Sequence, residues 1–177
     1  MNTLRYRFAS AAEAPLLARL NAQLIATGAD FGPAGLPQLE RRMRAWLDSG
    51  EDHAVLFEDG RGRVLAYALY HEDAAEIYLR QFLVLDAARH GGVGRRAYAL
   101  LRQRVWSRAK RLTLEVLCDN ADGLRFWHEQ GYRDCALTLE IPVPAAAPAP
   151  AARSPVFTRF LFSPDAAHLE FIRPRGA

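Results

Sequence analysis

Arg89, Gly92 and Gly94 stand in the order Arg-x-x-Gly-x-Gly within Arg89-His90-Gly91-Gly92-Val93-Gly94, between an apolar run and an amphipathic one. A helix starting at Val93 presents unpaired backbone N–H groups and the positive end of its dipole. Gly91, Gly92 and Gly94 let that backbone approach an anion with no Cβ in the way. Arg89 adds a planar cationic fork suited to phosphate oxygens. The chemistry is that of a phosphate cradle, with an ordinary glycine-rich connection as the alternative. A P-loop would continue as Gly-Lys-Ser/Thr, whereas Gly94 is followed by Arg95-Arg96. A dinucleotide-binding turn would follow the first strand of a βαβ unit, and this one comes after four predicted strands.

The elements that must hold this turn follow from the period of the apolar residues. Residues 3–8 alternate as a first strand. Ser10 to Glu13 reads as a capping box, and Leu16, Leu17, Leu20 and Leu24 form a helical stripe ending at Gly28. Leu39, Met43, Trp46 and Leu47 mark a second helix that stops near Gly50. Two β-rich runs, 54–57 and 64–70, flank Glu58-Asp59-Gly60-Arg61-Gly62, a hairpin signal. Residues 76–85 read as a central strand, 93–108 as a helix, 111–117 as a strand, 120–130 as a short helix and 133–141 as a last strand. The order predicts an α/β (α+β) fold with a mixed central sheet flanked by helices. Residues 142–155 contain five prolines and many alanines and read as an extended linker. Residues 156–177 form a short β-rich C-terminal appendage, apolar enough to suggest packing on the main domain or in a homodimer.

Two segments together resemble the GNAT N-acetyltransferase superfamily. The first is Phe82-Leu83-Val84-Leu85-Asp86-Ala87-Ala88 followed by the glycine turn. The second, at the proper distance, is Asn120-Ala-Asp-Gly123-Leu-Arg-Phe126-Trp127-His-Glu-Gln-Gly131-Tyr132. The resemblance covers residues 4–141 and implies a GNAT-like domain over 1–141. It implies acetyl-CoA as cosubstrate, with no metal, and an amine acceptor that is a small molecule or a protein. The backbone of Phe82, Leu83 and Val84 would pair with the pantetheine arm. Backbone N–H groups across Arg89, His90, Gly91, Gly92, Val93, Gly94 and Arg95 would hold the pyrophosphate. Asn120 would touch the pantetheine or simply fix its own turn.

Acetyl transfer needs a deprotonated amine, a polarised thioester and a departing thiolate. The N–H near Val84 is the donor the family would use for polarisation. Glu115, five residues before Asn120, resembles a catalytic glutamate of the ribosomal-protein N-terminal acetyltransferases. An exposed strand glutamate without a role is its alternative. Another base position of the superfamily falls on Tyr78, which does not easily replace a carboxylate; Glu76 and His71 are further candidates. Trp127 departs from the pattern, because many members carry a tyrosine there as the acid and an indole N–H has no usable acidity. Trp127 is expected against the cofactor arm, or in the core. Arg80 and Gln81 on the central strand could meet an anionic group of the acceptor. The main alternative function is a coenzyme A-binding module without turnover.

Composition sets the remaining bounds. The chain has 177 residues, half of them hydrophobic, with net charge +3. That charge is too small to imply nucleic acid. No run approaches the roughly 18 apolar residues of a membrane span, and no signal peptide is read, so a cytoplasmic location is expected. Cys118 and Cys135 form no CxxC pair and are expected as reduced, buried thiols; the five histidines show no metal-ligand spacing.

Overall fold

In the computed structural model, five strands and four helices form among the described residues, in the order in which strand and helix periods alternate up to the fourth helix. The structure describes residues 3–26, 35–106 and 111–139. Contacts divide the chain into Met1–Asp134 and Cys135–Ala177. The predicted linker, the appendage and the turn after Gly28 lie outside the described residues, save Gly35.

The sheet runs in the order β1-β2-β3-β4-β5: β1 (Arg5–Phe8), β2 (Asp52–Glu58), β3 (Val64–Glu72), β4 (Glu76–Val84) and β5 (Arg111–Leu114). The first three pairings are antiparallel and β4–β5 is parallel, so the sheet is mixed as expected. The β2–β3 hairpin turns where the Asp-Gly signal stands. The Asp59 carboxylate accepts the N–H groups of Arg61 (2.8 Å) and Arg63 (3.0 Å), and Gly62 takes a left-handed φ of 76° that its missing Cβ permits.

Helices α1 (Ala14–Ala26) and α2 (Leu36–Asp48) cover one face of the sheet. Glu13 accepts the Ser10 N–H at 3.1 Å, one of the two bonds of the expected capping box. Leu17, Leu20 and Met43 are buried there against Leu56, Tyr67, Leu69 and Leu83. At about 1.5–3 kcal/mol per buried apolar side chain, this packing far outweighs the contribution of any single cap.

Helices α3 (Val93–Leu100) and α4 (Ala121–Glu129) cover the other face, where Val93, Ala97, Tyr98, Leu101 and Trp127 meet Val55, Phe57, Ala66, Ala68 and Tyr70. The helix expected to reach Arg108 is regular only to Leu100. A five-residue π turn follows over Leu101–Val105, and the Trp106 N–H reaches back to the Leu101 carbonyl at 2.7 Å. That widening buries both Leu101 and Trp106.

Two further expectations are corrected. The strand expected over 111–117 ends at Leu114, where its pairing with β4 stops and no other strand among the described residues takes over. The strand expected over 133–141 is absent from its described residues, 133–139, which carry no ladder bonds.

Candidate active site

The register of β4 sets the geometry. Leu69 pairs with Gln81 but Tyr70 pairs with Leu79, so Arg80 is an extra residue on β4 and forms a bulge. The bulge inverts the alternation. Ile77 and Leu79 face α3 and α4 before it, and Phe82 and Val84 face them after it, whereas Gln81 and Leu83 face α1 and α2.

At the same point β4 parts from β5. The parallel pairing runs from Glu76↔Arg111 to Leu79↔Leu114 and stops. Residues 80–84 of β4 continue with no strand paired on that side among the described residues. Phe82, Leu83 and Val84 therefore bring main-chain donors and acceptors to an open wedge.

The glycine turn closes the end of this wedge. Asp86–Ala88 forms a short 3-10 turn, His90 has φ 61° and Gly92 has φ 69°. A non-glycine residue in the left-handed region costs on the order of 1 kcal/mol, so the surrounding turn holds His90 there. The Arg96 N–H bonds the Gly92 carbonyl at 3.2 Å. The N–H groups of Val93, Gly94 and Arg95 precede that bond and point out of the helix end.

Gly94 does more than bare its backbone. A Cβ there would lie 3.4 Å from both Val84 Cγ2 and Phe126 Cε2, so its absence seats α3 on the end of β4 and on α4. Arg89 does not reach outward as a phosphate fork. Its Nε donates to the Val84 carbonyl at 3.1 Å and its Nη2 lies 3.1 Å from Asp86 Oδ1, which ties the turn to the strand. Arg95 pairs with Glu129 of α4.

Trp127 is 9% exposed and sits in an aromatic cluster with ring centroids 5.3 Å from Phe82, 5.5 Å from Tyr98, 4.8 Å from Phe126 and 5.5 Å from Tyr132. It is a core aromatic that also meets Phe82 on the open half of β4. Asn120 caps α4: its Oδ1 accepts the Gly123 N–H at 2.9 Å. A Cβ at Gly123 would come within 2.7 Å of Asn120 Nδ2, which explains why asparagine and glycine stand three apart.

Glu115 is the first residue after β5 and is exposed. Burial first, then the Glu115 charge, push the Tyr78 phenol up to about 12. Arg80 lies over the Tyr78 ring (5.7 Å) and the Trp46 ring (5.4 Å), and its Nε donates to Asp52 Oδ1 at 2.7 Å. His71 Nδ1 is 3.5 Å from the same Asp52 oxygen. Deeper under α1, the Tyr67 hydroxyl donates to Gln81 Oε1 (2.9 Å) and Gln81 Nε2 donates to Asn21 Oδ1 (3.1 Å). Asp52, Tyr67 and Asn21 carried no signal in the sequence, since Asn21 and Asp52 find their partners 60 and 28 residues away.

Cys118 and Cys135 are both free and exposed, contrary to the expectation of burial, because neither falls on an element that faces a core. No group of three His, Cys, Asp or Glu that could hold a metal occurs among the described residues. No helix among them is long and apolar enough to cross a membrane.

The same architecture recurs in solved structures. A variant of protein BH1408 from Bacillus halodurans superposes with a TM-score of 0.64 at 22% identity, over 79% of this chain and 99% of that one. The ribosomal-protein-alanine N-acetyltransferase of Brucella melitensis biovar Abortus gives 0.62 at 12% identity, over 80% and 99%. The aminoglycoside N-acetyltransferase AAC(6')-Iy, solved in complex with CoA, gives 0.63 at 11% identity, over 82% and 97%. No curated protein sequence matches the chain. Residues 20–132, which contain the β4 wedge, the glycine turn and the capped α4, match the profile of the Acetyltransferase (GNAT) family, and the chain belongs to that family.

Proposed function

We propose that this chain binds acetyl-CoA along the open half of β4 and transfers the acetyl group directly to a primary amine of a small molecule or a protein. The observation that carries the proposal is the end of the β4–β5 pairing at Leu79↔Leu114, with β4 running on into the glycine turn and the start of α3. Phe82, Leu83 and Val84 offer a pantetheine arm the donors and acceptors that a next strand would take. The N–H groups of the turn from His90 to Arg95, and the dipole of α3, suit a pyrophosphate, whereas the Arg89 N–H is taken by the Asp86 carbonyl at 3.1 Å. Arg89 serves by bracing that turn on Val84, and Asn120 by fixing the start of α4. Trp127 backs Phe82 from the core side.

When bound, acetyl-CoA supplies an acetyl thioester. The N–H near Val84 is the donor for its carbonyl oxygen. Glu115 takes a proton from the acceptor ammonium, which has no lone pair until it does so. The freed amine forms the C–N bond as the C–S bond breaks, and its second proton leaves with the thiolate or to solvent. A thiol of pKa roughly 8.5, the value for free cysteine, is a fair leaving group without a dedicated acid.

A coenzyme A-binding module without turnover is the second reading, favoured by one observation. Trp127 stands where an acid would be useful, and its indole is packed into the aromatic cluster. Thiol release from saturating acetyl-CoA, measured across a panel of primary amines and peptide N-termini, separates the two. Amine-dependent release supports transfer. Binding of acetyl-CoA without release to any amine contradicts it.

A further inference from the structure

We propose that Arg80 binds a carboxylate on the acceptor, so that the amine this chain acetylates is a small, amino acid-type molecule carrying its own carboxylate. The inference deepens the transfer reading above and rests on it.

Two polar residues stand together at the bulge, and only one of them is able to meet a ligand. Gln81 is 2% exposed, and both ends of its amide are taken: Oε1 accepts the Tyr67 hydroxyl and Nε2 donates to Asn21 Oδ1. Arg80 is the extra residue of β4 and the first beyond the last β4–β5 pair, Leu79↔Leu114. It therefore stands where the open half of β4 begins, just before Phe82. Its side chain keeps 30% of its surface exposed.

The guanidinium is fixed without being used up. Its Nε donates to Asp52 Oδ1 at 2.7 Å, and Asp52 is itself only 5% exposed, which makes a firm anchor. The Tyr78 ring at 5.7 Å and the Trp46 ring at 5.4 Å confine the rest of the group. Among the described residues, none accepts a hydrogen bond from Arg80 Nη1 or Nη2. That edge of the planar fork suits a carboxylate, which two parallel N–H groups hold bidentately.

The neighbouring charges favour the same ligand. Arg42 of α2 lies over the same Trp46 ring at 5.3 Å, so one indole carries two guanidiniums. His71 Nδ1 is 3.5 Å from the Asp52 oxygen that anchors Arg80. In a partly buried recess these charges are screened less than in bulk water. An acceptor that brings only its ammonium is repelled by the guanidiniums, and a carboxylate on the same molecule offsets that repulsion.

The test uses the full chain, acetyl-CoA and paired amines: α- and ω-amino acids, each beside the amine of the same skeleton without its carboxylate, as with β-alanine and ethylamine. Thiol release gives kcat/KM for both members. The carboxylated member should be favoured roughly 10- to 100-fold in the pairs whose chain length fits, the equivalent of a hydrogen bond between charged groups. Arg80→Met keeps the apolar stem and should bring that ratio close to one. Arg80→Lys keeps a charge without the fork and should retain part of it. Calorimetric binding of acetyl-CoA shows that each variant is folded, and the ratio of the unaltered chain needs no variant. An Arg80 that only tied β4 to β2 would lower both members of a pair alike and leave the ratio unchanged, which overturns the proposal. Equal or better use of the uncarboxylated member in every pair overturns it too, and transfer then stands without this site. Absence of thiol release with every amine overturns transfer and this inference with it.

Discussion

On the side of β4 toward α3 and α4, the residues are Ile77, Leu79, Phe82 and Val84, all apolar and all packed on one core. On the side toward α1 and α2 they are Tyr78, Arg80, Gln81 and Leu83; three of the four are polar, with Arg80 bonded to Asp52 and Gln81 to Asn21. One inserted residue at Arg80 keeps the two sides distinct where β4 leaves β5. The comparison separates two jobs. The apolar side fixes where the open backbone lies, and the polar side carries the groups that could read an acceptor or move its proton. Damage to the first is expected to appear as lost stability. Damage to the second is expected to appear as lost rate.

The largest expected effect sharpens that division from the polar side. Glu115→Gln should lower kcat by about 10²- to 10⁴-fold, the range for removing a general base, while the dissociation constant for acetyl-CoA stays put. A parallel loss of acetyl-CoA binding would break the division. Next comes Trp127→Ala on the apolar side. Removing a tryptophan enclosed by four aromatic rings should cost about 3–5 kcal/mol in urea unfolding. A small loss of stability with a large loss of rate would instead give Trp127 a direct part in the reaction.

Asn120→Ala should cost about 1 kcal/mol of stability through the lost cap of α4, with acetyl-CoA affinity within about twofold. A tenfold loss of affinity would mean that Asn120 contacts the cofactor. The smallest effect is a control far from β4. Burial alone would raise the Glu13 carboxyl, but the Ser10 N–H and the Arg7 guanidinium outweigh it and hold the group below its ordinary value. Its stabilisation is therefore full above the unfolded pKa of about 4.5 and is lost as pH falls through the lower folded value. Glu13→Gln should flatten that acid limb in a thermal-melt series and leave turnover unchanged.

Much of this was legible in the residues because its causes are local. The Asp59 turn, the Ser10–Glu13 start and the Asn120–Gly123 cap each depend on partners within a few residues. The wedge residues were legible too, through their resemblance to a family. The bulge was not, since an extra residue on β4 is defined only against the register of β3. The polar side was illegible for the same reason: Arg80 and Asp52, or Gln81 and Asn21, meet only after folding. The π turn after Leu100 keeps helical apolar spacing and differs from a helix only in its backbone bonding. Arg89 was correctly placed at the turn, but its side chain turns back on Val84, where short-range bonding outcompetes an outward reach.

The central claim is that acetyl-CoA lies along the open half of β4 as an added strand. Amide hydrogen exchange with and without acetyl-CoA addresses it directly. Protection should rise at Phe82–Val84 and in the turn from His90 to Arg95, with β2 unchanged as the internal reference. Saturable binding of acetyl-CoA that leaves those amides exchanging as before would contradict the account.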